Sequence, residues 1–416
     1  MVERNWAGNV EYRAAEVLQP STVDQLRDIV VGADQVHVLG TRHSFNHIAD
    51  AATLVSLEAI QGEIVVDSFA GTVELDPTTT YGQLATHLHG SGLALHNLAS
   101  LPHISVGGAV ATGTHGSGDE LGNLATAVRG LDLLRSDGDL VRLRRGDPDF
   151  AGAVIGLGAL GAVLRVQLDV EPAYAMGQRV YLDLAWSALA DHFDAITSSG
   201  DSVSLFTTWG SAVDQVWVKQ RIGRSATSMN SLDDFFGARP ATEEQHPILG
   251  GSPEHCSAQL GVPGRWSDRL PHFKMGFTPS CGEEIQSELH LPRAAALESI
   301  EIIRSLGVDM APHLIVSEIR TVEADQLWMS SQFARDTVGF HFTWQPHPEP
   351  VADIVSGMEV ALAHLDPRPH WGKLFTLDAA TIATLFPRHH DFVRLVERFD
   401  ARGAFRTDWL TRHILG

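Results

Sequence analysis

Two glycine-rich segments constrain this chain more than anything else in it. GTRHSFN, residues 40–46, leaves directly from the apolar run VHVL, and LPHISVGGAVATGTHGSG occupies residues 101–118. Glycine has no Cβ, so main-chain N–H groups can crowd around an anion without side-chain clash, and such a nest suits a diphosphate. Neither segment has the GxGxxG spacing after a first strand, so a nicotinamide Rossmann site is not supported. Tight turns alone remain an alternative for either segment. Two of them in one region, each with Ser or Thr beside glycine, weigh against it. Arg42 and His43 sit where small residues would let the backbone come closest to a phosphate, and an imidazole needs a reason to be there.

The surrounding pattern is α+β. Thr22 and Gln25 have capping-box spacing ahead of an apolar face of Val23, Leu26, Ile29 and Val30. VHVLG reads as a buried strand, and TLVSLEAI, EIVVDS and TVELDP as further strands. TTTYGQLATHLHGSG reads as a helix, with the segment to residue 118 as a loop. AVRGLDLLRSDGDLVRL is a hairpin turning at Asp137-Gly138, and GALGAVLRVQLDVEP ends as an alternating strand. From about residue 176, helix-like pieces such as AWSALADHFDAITSSG alternate with strands, and residues 222–268 read as long surface loops. LDAATIATLFPRHHDFVRLVERFD reads as helical.

A chain of 416 residues exceeds one ordinary core, and with 44% hydrophobic and 19% charged residues it can bury two. A net charge of -21 disfavours nucleic acid and acidic membrane surfaces as partners. The longest apolar run, FAGAVIGLGALGAVL, is Gly-rich and shorter than the roughly 20 residues that span a bilayer. The N-terminal stretch lacks the apolar core of a signal peptide. Only Cys256 and Cys281 are present, so no disulfide framework is expected, and a cytoplasmic location is the simplest expectation. The histidines are scattered without HExxH or Cys/His ligand spacing, so no metal is expected.

Strand alternation in the second half sorts side chains by face. In HLIVSEIRTV, Glu318 and Arg320 share a face; in GFHFTWQ, His341, Thr343 and Gln345 oppose Phe340, Phe342 and Trp344; in EIQSELHLP, Gln286, Glu288 and His290 oppose Ile285, Ser287 and Leu289. The polar face either meets bulk water, the ordinary arrangement, or roofs a pocket while the apolar face rests on helices.

GTRHSFN, PHISVGGAVATGTHGSG and GALGAV, in that order, resemble the FAD-binding domain of the vanillyl-alcohol-oxidase flavoprotein family. SEIRT, HFTW and PHWGK resemble the substrate-side motifs of its alditol oxidase group (xylitol or sorbitol oxidases), so the resemblance spans essentially the whole chain. It implies a two-domain α+β fold. An FAD-binding domain of the VAO/PCMH type would cover residues 1–175. A cap domain over 176–370 would carry an antiparallel sheet with helices on one face, and 371–416 would pack back on the FAD domain.

The resemblance also implies FAD with a covalent link from His43 to the flavin 8α-carbon. Relatives with a second link use a cysteine near the other segment; here none precedes residue 256, so the link is expected to be single. Gly40, Thr41, Arg42 and Ser44 fall on diphosphate positions, as do Ser105, Gly108, Gly113, Thr114, His115, Gly116 and Ser117. Residues 161–163, ending on Val163, fall at the adenine end, and His370 on a flavin contact. Ser105, Gln286, Glu318, Arg320 and Thr343 fall on substrate contacts, and Lys373 near flavin N5. His341 and Glu318 are both candidates for the proton acceptor.

The implied reaction is oxidation of the terminal alcohol of a polyol to an aldose, with oxygen reduced to hydrogen peroxide. Gly107 and Gly108, uncrowded, lean toward an oxidase over a dehydrogenase. An aldonolactone oxidase or dehydrogenase of the same family is the alternative enzyme, and a flavin- or nucleotide-binding protein without turnover is the alternative from another class. A monomer is the favoured state.

Overall fold

The apolar face that begins at Thr22 is helix α1 (Val23–Gly32), capped by the Thr22 side chain, which accepts from the Gln25 amide. Gln25 does not complete the box: its side-chain oxygen takes the Ser21 amide at 2.8 Å. The reciprocal box caps α2 (Tyr81–Gly90), between Thr80 and Gln83. The computed structural model describes residues 3–60, 62–223, 234–276 and 283–416.

Strands β1 (Val17–Leu18), β2 (Val36–Leu39) and β3 (Thr53–Ser56) form a small parallel sheet in the order β1-β3-β2. Parallel neighbours need a crossover, and α1 lies between the first two in sequence. β4 (Val65–Asp67), β5 (Thr72–Leu75), β6 (Val128–Leu134), β7 (Leu140–Arg144) and β8 (Ala162–Asp169) form an antiparallel sheet in the order β4-β5-β8-β6-β7. The hairpin β6–β7 turns through Gly138 at φ +85°. The segment to residue 118 is not wholly a loop. Its VGGAVA forms a short helix, α3 (Val106–Ala111), whose Val106, Ala109 and Val110 are buried.

The second half builds one large antiparallel sheet from β9 (Ala175–Ala185), β10 (Ser202–Thr207), β11 (Ala212–Arg221), β12 (Ile285–Pro292), β13 (Leu314–Val322) and β14 (Thr337–Trp344). Their order is β9-β11-β10-β13-β14-β12, with two-residue strands at the edges. Helices α4 (Trp186–Thr197), α5 (Ala296–Ser305) and α6 (Pro348–Leu362) cover one face. There Ile319, Phe340, Phe342 and Trp344 form a core with Leu189, Ile196, Ile303 and Met358. Each such aromatic or aliphatic side chain stabilises the packing by about 1.5–3 kcal/mol. The opposite face is polar and is buried too: Glu288, Glu318, Arg320, His341 and Thr343 are all shielded. It does not meet bulk water.

The C-terminal helical stretch is two helices, α7 (Ala379–Leu385) and α8 (His389–Phe399). Pro387 divides them. Its ring disfavours helical backbone in the residue before it, and Phe386 is extended at φ −109°, ψ 104°. Ile382, Leu385, Phe392 and Leu395 join the core built around Leu84, Val110 and Leu131, so this segment lies on the first half of the chain. The halves are pinned together where the Gly118 amide bonds the Thr321 carbonyl at 2.9 Å and Arg293 grips Asp119 at 2.6 Å. Of the loops expected over 222–268, residues 224–233 lie outside the described residues, as does Cys281; Cys256 is buried and unpaired. No helix among the described residues is long and apolar enough to cross a membrane.

Candidate active site

The two glycine-rich segments meet. The Ser105 amide donates to Thr41 Oγ1 at 3.1 Å, and a Cβ on Gly40 would stand 2.7 Å from Ser105 Oγ. Between them opens a cleft of about 150 Å³ lined by Gly40, Thr41, Arg42, His43, Ser44, Ser105, Gly108, Thr114, Gly161, Val163 and His370, among others. Gly161 sits at φ +137°, where a Cβ would lie 2.4 Å from the Leu134 carbonyl oxygen, so any other residue would clash with the neighbouring strand. Four expected diphosphate residues, Gly113, His115, Gly116 and Ser117, do not line the cleft. His115 lines the cavity next to it, with Nε2 3.0 Å from Glu288 Oε1. The Ser117 and Ser204 hydroxyls bond each other at 2.9 Å, Gly116 packs against Leu98, and Gly113 packs against Ile155. Ser105, buried, lines this cleft and not the larger cavity beside it.

His43 stands where the cleft opens into that cavity. Both of its ring nitrogens are shielded from solvent, and among the described residues neither makes a hydrogen bond of good geometry, the Thr41 main chain being the one hydrogen-bonding group that bears on the ring. Burial pushes the imidazole down to about 4, so it is neutral and nucleophilic at ordinary pH. An orphaned imidazole at the mouth of a glycine-walled cleft fits a flavin whose ring passes that point.

The cavity, about 310 Å³, shares His43, Ile104, Thr114, His370 and Gly372 with the cleft. Its polar wall is the buried face of the large sheet. Glu318 Oε2 pairs with Arg320 Nη2 at 3.0 Å, and Glu318 Oε1 accepts from His272 Nε2 at 3.0 Å. Burial alone would raise this carboxyl; the Arg320 guanidinium and His272 outweigh it and hold the group well below the usual carboxylate range. Behind His272, the Lys219 ammonium donates to its Nδ1 at 3.1 Å and to the carbonyls of Leu270 and Pro271.

A second charge group sits beside the first. Lys373 Nζ bonds Glu288 Oε2 and donates to His341 Nδ1 at 2.8 Å, while His341 Nε2 meets Thr343 Oγ1 at 3.1 Å. An ammonium can only donate, so His341 Nδ1 accepts and Nε2 carries the proton. Burial lowers His341 to about 3, with Lys373 adding to the effect, so the ring is neutral. Burial would raise Glu288; Lys373, His115 and Arg320 together hold it well below its ordinary value. Gln286 lines the same wall and donates to Glu284 at 2.9 Å.

Glu288 also belongs to the trio His115, Glu288 and His290, whose ligand atoms lie within 4.8 Å of one another. Sequence spacing does not reveal this trio, because its members come from both halves of the chain. Glu288 already bonds the Lys373 ammonium and lies 3.8 Å from Arg320, so an added metal cation would meet two fixed positive charges.

The structure thus brings Glu318, Arg320, His341, Thr343, Gln286, Lys373 and His370 to one cavity. Sequence reasoning put Glu288 on the right face without a role, and missed Lys219, His272 and Trp6. Lys219 and His272 lie in apolar or loop-like sequence with no local signal.

The comparisons agree with this geometry. A family profile described as an FAD binding domain matches residues 14–144, and one described as D-arabinono-1,4-lactone oxidase matches residues 283–413. The chain is 45% identical over 411 residues to an alditol oxidase from a Streptomyces species, covering 98% of this chain and 97% of that protein. It is 24% identical to the L-gulono-1,4-lactone dehydrogenase of Mycobacterium tuberculosis, over 99% of this chain and 98% of the relative. Among solved structures, a cholesterol oxidase from B. sterolicum superposes with a TM-score of 0.80 at 14% identity, covering 99% of this chain and 96% of that one. Cleft, orphaned imidazole and extended sequence identity converge: the chain belongs to the FAD-dependent oxidoreductases of the vanillyl-alcohol-oxidase family, in the group that contains alditol oxidase.

Proposed function

We propose that this protein oxidises the terminal CH–OH of an alditol to the aldose, with FAD bound through His43. The observation that carries this reading is a buried cavity, lined with charged pairs, that opens onto the cleft at His43 and His370. When bound, FAD supplies the hydride acceptor, at N5, and the means of passing the electrons to dioxygen as hydrogen peroxide.

A polyol offers a donor and acceptors at every carbon, and a wall of paired charges selects it over analogues lacking hydroxyls, whose loss leaves buried groups unpaired. Glu318 accepts from one substrate hydroxyl and Arg320 donates to its neighbour. Thr343 and Gln286 extend that contact. Glu318 and His341 both stand where they can take the hydroxyl proton: each Glu318 oxygen keeps a second lone pair beside its donor, and the one acceptor lone pair of His341, on Nδ1, becomes free when Lys373 turns away. Lys373, next to Gly372 at the junction of cavity and cleft, would supply positive charge to favour a reduced, anionic flavin bound there.

The alternative is a cyclic aldonolactone substrate, favoured by the lactone oxidase profile over residues 283–413. A substrate panel with peroxide counted per molecule oxidised separates the readings. Turnover of xylitol or sorbitol with one peroxide each is expected. Lactone turnover without polyol turnover overturns the alditol reading, and dye-dependent activity without peroxide makes the enzyme a dehydrogenase. The protein is proposed to work as a monomer in the cytoplasm.

A further inference from the structure

We propose that residues 3–10 act as a strap that orients His43 for covalent attachment of the flavin. This inference rests on the attachment proposed above and assigns its positioning residues, with Trp6 foremost.

The strap holds the peptide on both sides of His43. The Trp6 amide donates to the Arg42 carbonyl at 2.8 Å, and Asn5 Nδ2 donates to the Ser44 carbonyl at 3.0 Å. Glu3 pairs with Arg42 Nε at 2.9 Å. Arg42 is held at φ +60°, a left-handed conformation that a side chain this large adopts only under constraint. The Trp6 ring stacks on the imidazole, with centroids 5.0 Å apart and planes 20° from parallel. Among the described residues no side chain bonds the His43 ring, and the Thr41 main chain acts on only one edge of it, so this stack is the contact that fixes the ring plane.

The strap is itself built to be rigid. Asn5 Oδ1 accepts from the amides of Asn9 and Val10 at 3.0 Å each, closing a tight loop. Asn9 Nδ2 then donates to the Glu284 carbonyl at 2.8 Å, beside the first residue of β12, tying the loop to the substrate-side sheet. The imidazole is thereby held relative to both walls of the site.

Attachment needs the ring nitrogen aligned on one carbon. The imidazole loses its N–H proton as its nitrogen bonds the 8α-methyl carbon, and that carbon loses one hydrogen. The electron pair and both protons leave on dioxygen as hydrogen peroxide. Misalignment by an ångström slows such a step by up to about a hundredfold.

The test uses full-length wild type, Trp6→Phe, Trp6→Leu and Asn9→Ala, produced in flavin-limited cells and then given FAD. Denaturing gels read flavin fluorescence fixed to the polypeptide over time, and absorbance reads total bound FAD. Total FAD is expected to be equal throughout, with Trp6→Leu attaching about tenfold more slowly and Trp6→Phe within about threefold of wild type. Attachment by Trp6→Leu at the wild-type rate overturns the strap. Should that variant not fold, Asn9→Ala decides: slower attachment supports the strap, an unchanged rate overturns it. Wild-type protein that releases all its FAD in acid sinks the attachment reading itself, a result distinguishable from failure of the strap alone.

Discussion

Lys219 Nζ lies 3.1 Å from His272 Nδ1, and this one bond decides which nitrogen of His272 keeps its proton. The ammonium fills Nδ1, so Nε2–H is left to donate to Glu318. Lysine, imidazole, carboxylate and guanidinium form one buried chain ending at Arg320.

Lys219→Met breaks that chain at its far end. Turnover per unit KM is expected to fall about tenfold, because His272 loses the bond that fixes its tautomer. Burial lowers Lys219 from 10.5 to about 7. Between those values the unfolded chain binds the extra proton, so this lysine's contribution to stability grows as pH rises. The stability gap between wild type and the Met variant should therefore move in wild type's favour by on the order of 2 kcal/mol between pH 7 and 10. Urea midpoints at both pH values check it; a constant gap contradicts it.

His43→Ala is expected to abolish covalent flavin while leaving FAD bound in the cleft. Gel fluorescence and absorbance together read both. Because burial holds His43 near 4 and not near 6.5, attachment to wild type should be flat from about pH 5.5 to 8. A rate that halves near pH 6.5 would show an ordinary, solvated imidazole.

Glu318→Gln keeps the shape and removes the charge that answers Arg320. Polyol turnover should drop about a hundredfold or more, with flavin content unchanged. Turnover within a few-fold of wild type would remove Glu318 from the proposed site.

Glu288→Gln strands Lys373 and Arg320 beside each other without their shared carboxylate. Removing one partner of a buried pair typically costs about 3–5 kcal/mol, so thermal unfolding should shift down by several degrees. Replacing Glu288 and Lys373 together, by Gln and Met, should recover part of that loss. A double variant no better than the single would mean the two residues are not coupled.

Local pattern carried a great deal of this. Period-two alternation placed Glu318 with Arg320, and His341 with Thr343, on one face, and the structure puts all four on one wall. It did not say whether that wall faced water, because alternation distinguishes two faces and not what covers them. Local sequence showed where the glycine segments were but not which residues turn inward: Ser117 and Gly116 look the same in sequence as Thr114, which lines both spaces. The apolar periodicity on either side of Pro387 reads as one helix, and the proline's backbone restriction divides it into α7 and α8.

The chain by itself determined most of the elements, their faces and the family, since these depend on residues near each other in sequence and on motifs in a fixed order. Only the tertiary structure decided that Lys373 meets Glu288, that Lys219 stands behind His272, and that Trp6 covers His43. Each is a contact between residues far apart in the chain, made where water is excluded. Buried charges and unpaired ring nitrogens are tolerable there only when a specific partner arrives from elsewhere in the fold.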